Sequence, residues 1–391
     1  MESPARPTRD FARRSGGRGS QVPGAIDKTA DRAEAARVLE AFKHAGATPV
    51  ETDLLQPAET LLDLYGEDIR GRAFITQDPD QGEMMLRPDF TVPVVQMHMD
   101  NIEAGGPEPA RYAYMGEVFR KQESDATRAR EYLQVGFELF DRTDPARADA
   151  EVFSLFSEVL SPLNLRAVTG DIGILIAVVN GLSTSERRRA ALRRHIWRPR
   201  RFRTLLDRFT GRTSVPAHRA ALIADPRAAL AVASDAVQVG KRGPQEVADR
   251  IEALRIDAAT PPIGEAEADV IDAVLDLKAP LSGALQILRD IAIDLPAISD
   301  ATDMFEARLE ALDAAGITIA DIPFEATYGR TSMEYYDGFV FGFTGAPHLP
   351  PVATGGRYDA LTSVLGQGRA IPAVGGVIRP ALVRQMRENL T

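Results

Sequence analysis

The chain contains no cysteine, which excludes disulfides, thiolate metal sites and a cysteine nucleophile. Histidine is also scarce: His44, His98, His195, His218 and His348 lie far apart and without ligand spacing, so no structural metal and no other cofactor is expected. No apolar run approaches the roughly 20 residues a bilayer span needs, and the first residues lack the apolar stretch of a secretory signal. A cytoplasmic address without membrane association is the expectation. Net positive charge is missing too. The 56 acidic residues outnumber the 46 basic ones, for a formal net charge of -10, which works against gripping a polyanion by bulk attraction.

What is present is an ordinary globular composition, 44% hydrophobic and 26% charged over 391 residues, long enough for two or three domains. Residues 1–24, rich in Arg, Gly, Ser and Pro, have little to bury and read as a disordered tail. An Arg-rich transit peptide is the alternative, opposed by Glu2 and Asp10. From Lys28 to Ala45 the apolar residues Ala35, Val38, Leu39, Phe42 and Ala45 recur at helical spacing, and Gly46 supplies the stop. Strand-like runs follow at Phe74–Thr76 and Met84–Leu86, then a helix opened by Thr91 and Pro93. Two long strands are expected at Arg111–Lys121 and Glu131–Asp141, with the charged segment Gln122–Arg130 as the loop between them.

From about Gly170 to Ile298 the texture changes to Ala, Arg, Asp and Leu at helical periods broken by prolines, which predicts an inserted helical domain over 171–299. A helix returns with Asp303 and Glu306 at capping-box spacing, and with Phe305, Leu309 and Leu312 on one face. Strands are expected at Ile317–Tyr328 and Tyr336–Phe343. The run Gly355-Gly356-Arg357-Tyr358-Asp359 reads as a turn, and a last helix starts at Pro380. Hairpin-paired strands with grouped helices predict an α+β fold, an antiparallel sheet flanked by helices, rather than an alternating α/β one. The main body is then 25–170 with 300–391.

In the strand 131–141, alternation puts Tyr132, Gln134, Gly136, Glu138 and Phe140 on one face and Leu133, Val135, Phe137 and Leu139 on the core face. The first face sets an amide and a carboxylate either side of a glycine, which leaves room for a small ligand to approach the backbone. A solvated sheet face is the plain alternative.

Five segments in order change that balance: Leu86-Arg87-Pro88-Asp89-Phe90-Thr91, Phe119-Arg120-Lys121-Gln122, Gln134-Val135-Gly136-Phe137-Glu138, Tyr335-Tyr336 and Gly355-Gly356-Arg357-Tyr358-Asp359. From about Ala33 to Leu390 the chain resembles the catalytic core of the histidyl-tRNA synthetases, class II enzymes. The resemblance implies that Asp89, Thr91 and Gln134 contact the ammonium of a bound histidine. It sets Glu138 and Tyr336 by the imidazole with Tyr335 adjoining, and Arg120 by the carboxylate. Free histidine calls for these acceptor, cation and carboxylate types. Taken alone, Asp89 reads as a helix cap and the two tyrosines as strand packing.

The departures from that family point to function. Pro372-Ala373-Val374-Gly375-Gly376 matches its third motif, but Ala381-Leu382 stands where a Glu-Arg pair grips ATP. Arg379 lies about 4.5 Å nearer the N-terminus of that helix and Arg384 points elsewhere. Gln122 replaces an adenine-reading glutamate, the arginine before the tyrosines is displaced to Arg330 or replaced by Thr331, and Asp53 takes a proline position of the first motif. Losing one preorganised cation costs about 100 to 1000-fold in such a reaction, so no catalytic residue is assigned. Nine residues follow Leu382, where the synthetases continue into an anticodon domain.

A retained amino-acid pocket without ATP machinery resembles the regulatory subunits of short-form ATP phosphoribosyltransferase. The resemblance implies a catalytic partner subunit, feedback by histidine in the first step of its biosynthesis, and dimers within a hetero-oligomer. The alternative is an active histidyl-tRNA synthetase lacking its own anticodon domain. A third reading starts from the stretch Arg187 to Arg203, where arginines interleave with Trp197 and Phe202. It is open to a nucleic-acid, a protein-interface or a plain solvated-helix role, with nucleic acid disfavoured by the acidic remainder.

Overall fold

Apolar alternation builds the two longest strands, β5 (Ala110–Phe119) and β6 (Glu131–Phe140), which pair antiparallel along their length, Ala110 opposite Phe140 and Phe119 opposite Glu131. The computed structural model describes residues 28–65, 69–121, 129–225, 227, 243–331, 335–345 and 349–388. The expected tail 1–24, the adenine-side position Gln122 and most of the loop expected at Gln122–Arg130 lie outside the described residues.

Among the described residues, β5 and β6 belong to a nine-stranded sheet. Its order is β1 (Thr48–Pro49), β5, β6, β12 (Ala373–Ile378), β11 (Ala353–Arg357), β10 (Phe339–Thr344), β7 (Arg166–Asp171), β9 (Pro323–Glu325) and β8 (Lys278–Pro280). The sheet is antiparallel through its middle, as the α+β expectation had it, and mixed at its flanks, where β1 pairs β5 and β7 pairs β9 in parallel. A small second sheet orders β2 (Leu55–Pro57), β4 (Gly82–Leu86) and β3 (Ile75–Asp78).

One face of the large sheet is a helix-covered core. The helix Pro145–Leu160 starts cleanly, with Asp144 accepting the Arg147 amide and Pro145 in the first turn. It lays Phe153 against Phe339, Phe341 and Phe343, alternate residues of β10, and Phe156 against Phe341 and against Phe42 of the first helix, Lys28–His44. Beneath these rings lies a buried charge network. Asp149, fully inaccessible, accepts from Arg308 at 2.8 Å and from Arg357 at 2.7 Å. Arg308 also bonds Asp171 at 2.8 Å, and Arg357 also bonds Asp359 at 3.0 Å. Each charge is compensated by an opposite one, the condition under which burial is tolerable.

Several local expectations are corrected. Gly355 and Gly356 lie inside β11, a central strand, not in a turn. Gly355 is there because a side chain would collide with the Phe341 ring and the Gly375 carbonyl. The stretch Ile317–Tyr328 keeps only the three residues of β9 extended, after a 3-10 turn at Ile319–Asp321. The helix around Phe305 begins at Ser299, so Asp303 sits inside it and caps nothing; Phe305, Leu309 and Leu312 are its buried face as expected.

The span 171–299 is mainly helical, but its strand β8 joins the large sheet through β9. The basic stretch Arg187–Arg203 is divided: Arg188 is buried, several others are paired near the surface, and Arg187, Arg194, Arg200 and Arg201 are exposed. Arg188 bonds Asp257 at 2.7 Å and the carbonyls of Thr260 and Pro261, Arg189 and Arg193 bond Glu186, and Arg203 bonds Asp272. With Phe202 buried and Trp197 packed against the core, neither ring faces outward to stack on a base, which weighs against a nucleic-acid clamp. No helix among the described residues is long and apolar enough to cross a membrane, and no group of three or more His, Asp or Glu there could hold a metal ion.

Candidate functional site

The other face of the large sheet carries one glycine on each of six neighbouring strands. Following the strand register, Gly116 on β5, Gly136 on β6, Gly375 on β12, Gly356 on β11, Gly342 on β10 and Gly170 on β7 all fall on it. Aromatic residues roof this floor. A methyl on Gly136 would overlap the Tyr114 ring and one on Gly342 the Tyr328 hydroxyl, while one on Gly356 would stand 2.8 Å from the Tyr336 ring. Glycines on neighbouring strands let rings lie close against the backbone.

Glu138 is the centre of the site. It is 1% exposed and receives three hydroxyls: Tyr358 at 2.6 Å, Tyr114 at 2.9 Å and Thr91 at 3.1 Å. Burial pushes its pKa up from 4.5 to about 7; the three hydroxyls pull it down, and the nearby Asp89 pushes it up again. Tyr335 donates to Thr91 at 3.2 Å, so Glu138, Thr91 and Tyr335 form one chain of contacts. Tyr336 is buried beside Tyr335, ring centroids 5.0 Å apart. Burial, then Glu138, raises its pKa well above the usual tyrosine value.

The remaining expected residues surround this centre. Gln134 is 1% exposed, and its carbonyl oxygen is buried without a hydrogen-bond partner. A buried acceptor left open costs free energy unless something else fills it. The solvated-face alternative for this strand is therefore overturned, because Gln134 through Phe140 are all buried. Asp89 is buried and lies one residue before the helix cap, Phe90; its carboxylate accepts the Val92 amide of the first turn at 3.4 Å, so the plain cap reading is displaced by one residue. It also faces Glu138, Tyr114 and Tyr336 closely enough to raise the pKa of each. Arg120, half-buried, donates to the Pro88 carbonyl at 2.7 Å, next to Asp89. All seven residues thus gather on or over the glycine floor.

Two of the most intimate partners were not singled out in the sequence: Tyr114 and Tyr358, both of which bond Glu138. The alternation of β5 carried a signal, since Tyr112, Tyr114 and Gly116 lie opposite Glu138, Gly136 and Gln134. Tyr114 is fixed from above by Phe90, stacked at 4.3 Å, over which Arg87 lies at 3.9 Å.

The positions that would hold ATP in a synthetase point away. Leu382 packs against the core. Arg384 bonds Asp31 of the first helix at 2.8 Å, as expected of a residue facing elsewhere. Arg330 donates to the Ile196 carbonyl at 2.7 Å and lies 4.9 Å from the Phe202 ring centre.

Comparison with known proteins places this geometry. The histidyl-tRNA synthetase family model matches residues 27–260 and 245–381. The ATP phosphoribosyltransferase regulatory subunit of Allorhizobium ampelinum is 33% identical over 358 residues, covering 87% of this chain and 94% of the relative. That of Brucella canis is 33% identical over 347 residues, covering 83% and 89%. Among solved structures, an ATP phosphoribosyltransferase regulatory subunit/histidyl-tRNA synthetase from Bacillus halodurans superposes with a TM-score of 0.65 at 20% identity, over 96% of this chain and 83% of that one. A histidine–tRNA ligase subunit from Alicyclobacillus acidocaldarius does so with 0.59 at 23%, over 98% and 99%. These two likenesses speak for the fold alone. The chain belongs to the ATP phosphoribosyltransferase regulatory subunits, a non-catalytic family built on the class II fold of the histidyl-tRNA synthetases.

Proposed function

We propose that this chain is the histidine receptor of a hetero-oligomeric ATP phosphoribosyltransferase in the cytoplasm. It pairs there, itself dimeric, with a catalytic subunit of the short-form type. Histidine binds over the glycine floor and sets the activity of the partner in the first step of histidine biosynthesis. The observation that carries this reading is the setting of Glu138: a buried carboxylate with three hydroxyl donors, poised near neutrality. A group poised there can accept from a neutral imidazole N–H or pair with an imidazolium. Gln134 adds a buried acceptor suited to the ligand's ammonium, with Asp89 and Thr91 beside it. A coupling of about 1 to 3 kcal/mol between this site and the partner's suffices for feedback.

The test combines binding with regulation. Calorimetry is expected to give histidine binding that falls at least about tenfold in Glu138→Ala and in Gln134→Ala. Phosphoribosyl transfer by the reconstituted complex is expected to respond to histidine with wild-type chain and to lose that response with either variant. Unchanged calorimetric affinity in both variants would remove the pocket assignment.

A further inference from the structure

The pocket as described has acceptors for an ammonium and a carboxylate for an imidazole, but its cation is half accounted for. The arginine preceding the tyrosines, Arg330, spends its Nε on the Ile196 carbonyl and lies against the Phe202 ring, turned toward the helical span, with its Nη2 buried and without a hydrogen-bond partner. Leu382 is apolar and core-packed, and Arg384 is paired with Asp31 and Glu388. Arg379 remains. In the register of β12 with β6, Val377 lies opposite Gly136 and Ile378 opposite Val135. One further step sets Arg379 beside Gln134, on the glycine face rather than the core face.

The surroundings of Arg379 fit that placement. Its hydrogen-bond partners among the described residues are neutral: the Pro351 carbonyl at 2.8 Å and the Thr354 hydroxyl at 3.5 Å, Thr354 itself being a residue of the glycine face. Burial lowers its pKa, and Arg120 lowers it further against the opposing pull of Tyr132, Tyr336 and Tyr328. Arg379 thus lies near enough to Arg120 and to three tyrosines to feel their charge. A guanidinium held by neutral acceptors beside a second cation favours an anion between them.

We infer that Arg379 is the second carboxylate-binding residue of the site, holding the ligand's α-carboxylate together with Arg120 while Gln134 takes the adjacent ammonium. The inference rests on the amino-acid-receptor reading above and extends it. An amino acid carries its donor and its acceptor on one carbon. Gln134 and Arg379 supply the matching acceptor and donor from neighbouring positions of one sheet face. The site then selects amino acids over the corresponding amines and alcohols, a discrimination that Glu138 and the tyrosines, facing the side chain, do not provide.

The experiment compares histidine with histidinol, which keeps the imidazole and the ammonium but has a neutral hydroxymethyl in place of the carboxylate. Wild-type chain is expected to prefer histidine by about 30-fold or more, and Arg379→Gln to weaken histidine by a similar factor while histidinol changes less than about threefold. Histidinol binding thus reports that the variant is folded. Arg379→Lys, which keeps a point charge without the planar fork, is expected to fall between. Equal loss of both ligands in Arg379→Gln, or retained preference for histidine, overturns the assignment of Arg379 while leaving the receptor reading intact. Wild-type chain that binds neither ligand overturns that reading and this one with it. Binding of pyrophosphate to wild-type chain in competition with histidine, abolished in Arg379→Gln, would replace the carboxylate by a phosphate and overturn the inference in that form.

Discussion

Tyr358 donates its hydroxyl to one oxygen of Glu138 at 2.6 Å, while Tyr114 donates to the other at 2.9 Å. The carboxyl is clamped from both sides, yet burial outweighs the clamp and Glu138 titrates near 7.

That balance has a thermodynamic sign. Glu138 ionises near 7 in the folded chain and near its ordinary 4.5 when unfolded, so between these values the folded chain keeps a proton that the unfolded chain releases. Its contribution is fully present below about 4.5 and is lost as pH rises through about 7, a swing of about 3 kcal/mol. Asp337, half-buried beside Asp359, is likewise pushed up to about 7 by desolvation and then by Asp359, and adds a slope of the same sign. The comparison with Glu138→Gln isolates Glu138. Urea unfolding at about pH 5 and about pH 8 is expected to show a smaller loss of stability in the variant than in wild type. Parallel curves would mean that Glu138 is already ionised in the folded chain at the lower pH.

Asp149 stands between two arginines, and removing it leaves both buried without their shared counter-ion. Asp149→Ala is expected to cost about 3 to 5 kcal/mol in denaturant unfolding. Glu252→Gln, on an exposed i,i+3 pair with Arg255, serves as the control and leaves the curve in place. A small effect of Asp149→Ala would mean that water reaches the network.

The glycine floor makes a different expectation. Gly136→Ala drives a methyl into Tyr114, which is held by Phe90 and bonded to Glu138. About 1 to 3 kcal/mol of stability is expected to go, together with at least about tenfold in histidine affinity as the Tyr114 bond to Glu138 breaks. Gly46→Ala meets no atom within 4 Å but sits at φ +88°, so it is expected to lose about 1 kcal/mol by backbone strain and to bind histidine as wild type does. Calorimetry of both variants separates a filled pocket from a strained turn.

Much of this architecture is written locally in the sequence. The alternation through Glu131–Phe140 is a property of one strand, and so is its division into a core face and a face that carries Gln134, Gly136 and Glu138. The helical period through Ala35, Val38 and Phe42 is equally self-contained. What escaped depends on residues far apart in the chain. Gly355 and Gly356 look like a turn because glycine permits one, whereas they are required by the rings and carbonyls lying against a central strand. Arg357 has a local partner in Asp359, but nothing near it in the chain foretells its burial. Its meaning comes from Asp149, 208 residues away, and from Arg308 on a third element. Tyr114 and Tyr358 show the same limit: each strand shows its own alternation, but only the register of β5, β6, β12 and β11 brings both hydroxyls to one carboxylate.

Arg330 donates from beside the tyrosine pair to the Ile196 carbonyl, and Trp197 donates back to the Tyr336 carbonyl at 3.2 Å. The two bonds run in opposite directions between the same two backbone segments and form a cross-brace. A single bond is a pivot; a crossed pair resists rotation. The helical span that carries Ile196 is thereby tied to the wall that Tyr336 forms, and a change at either end is felt at the other only through these two bonds and the rings packed around them.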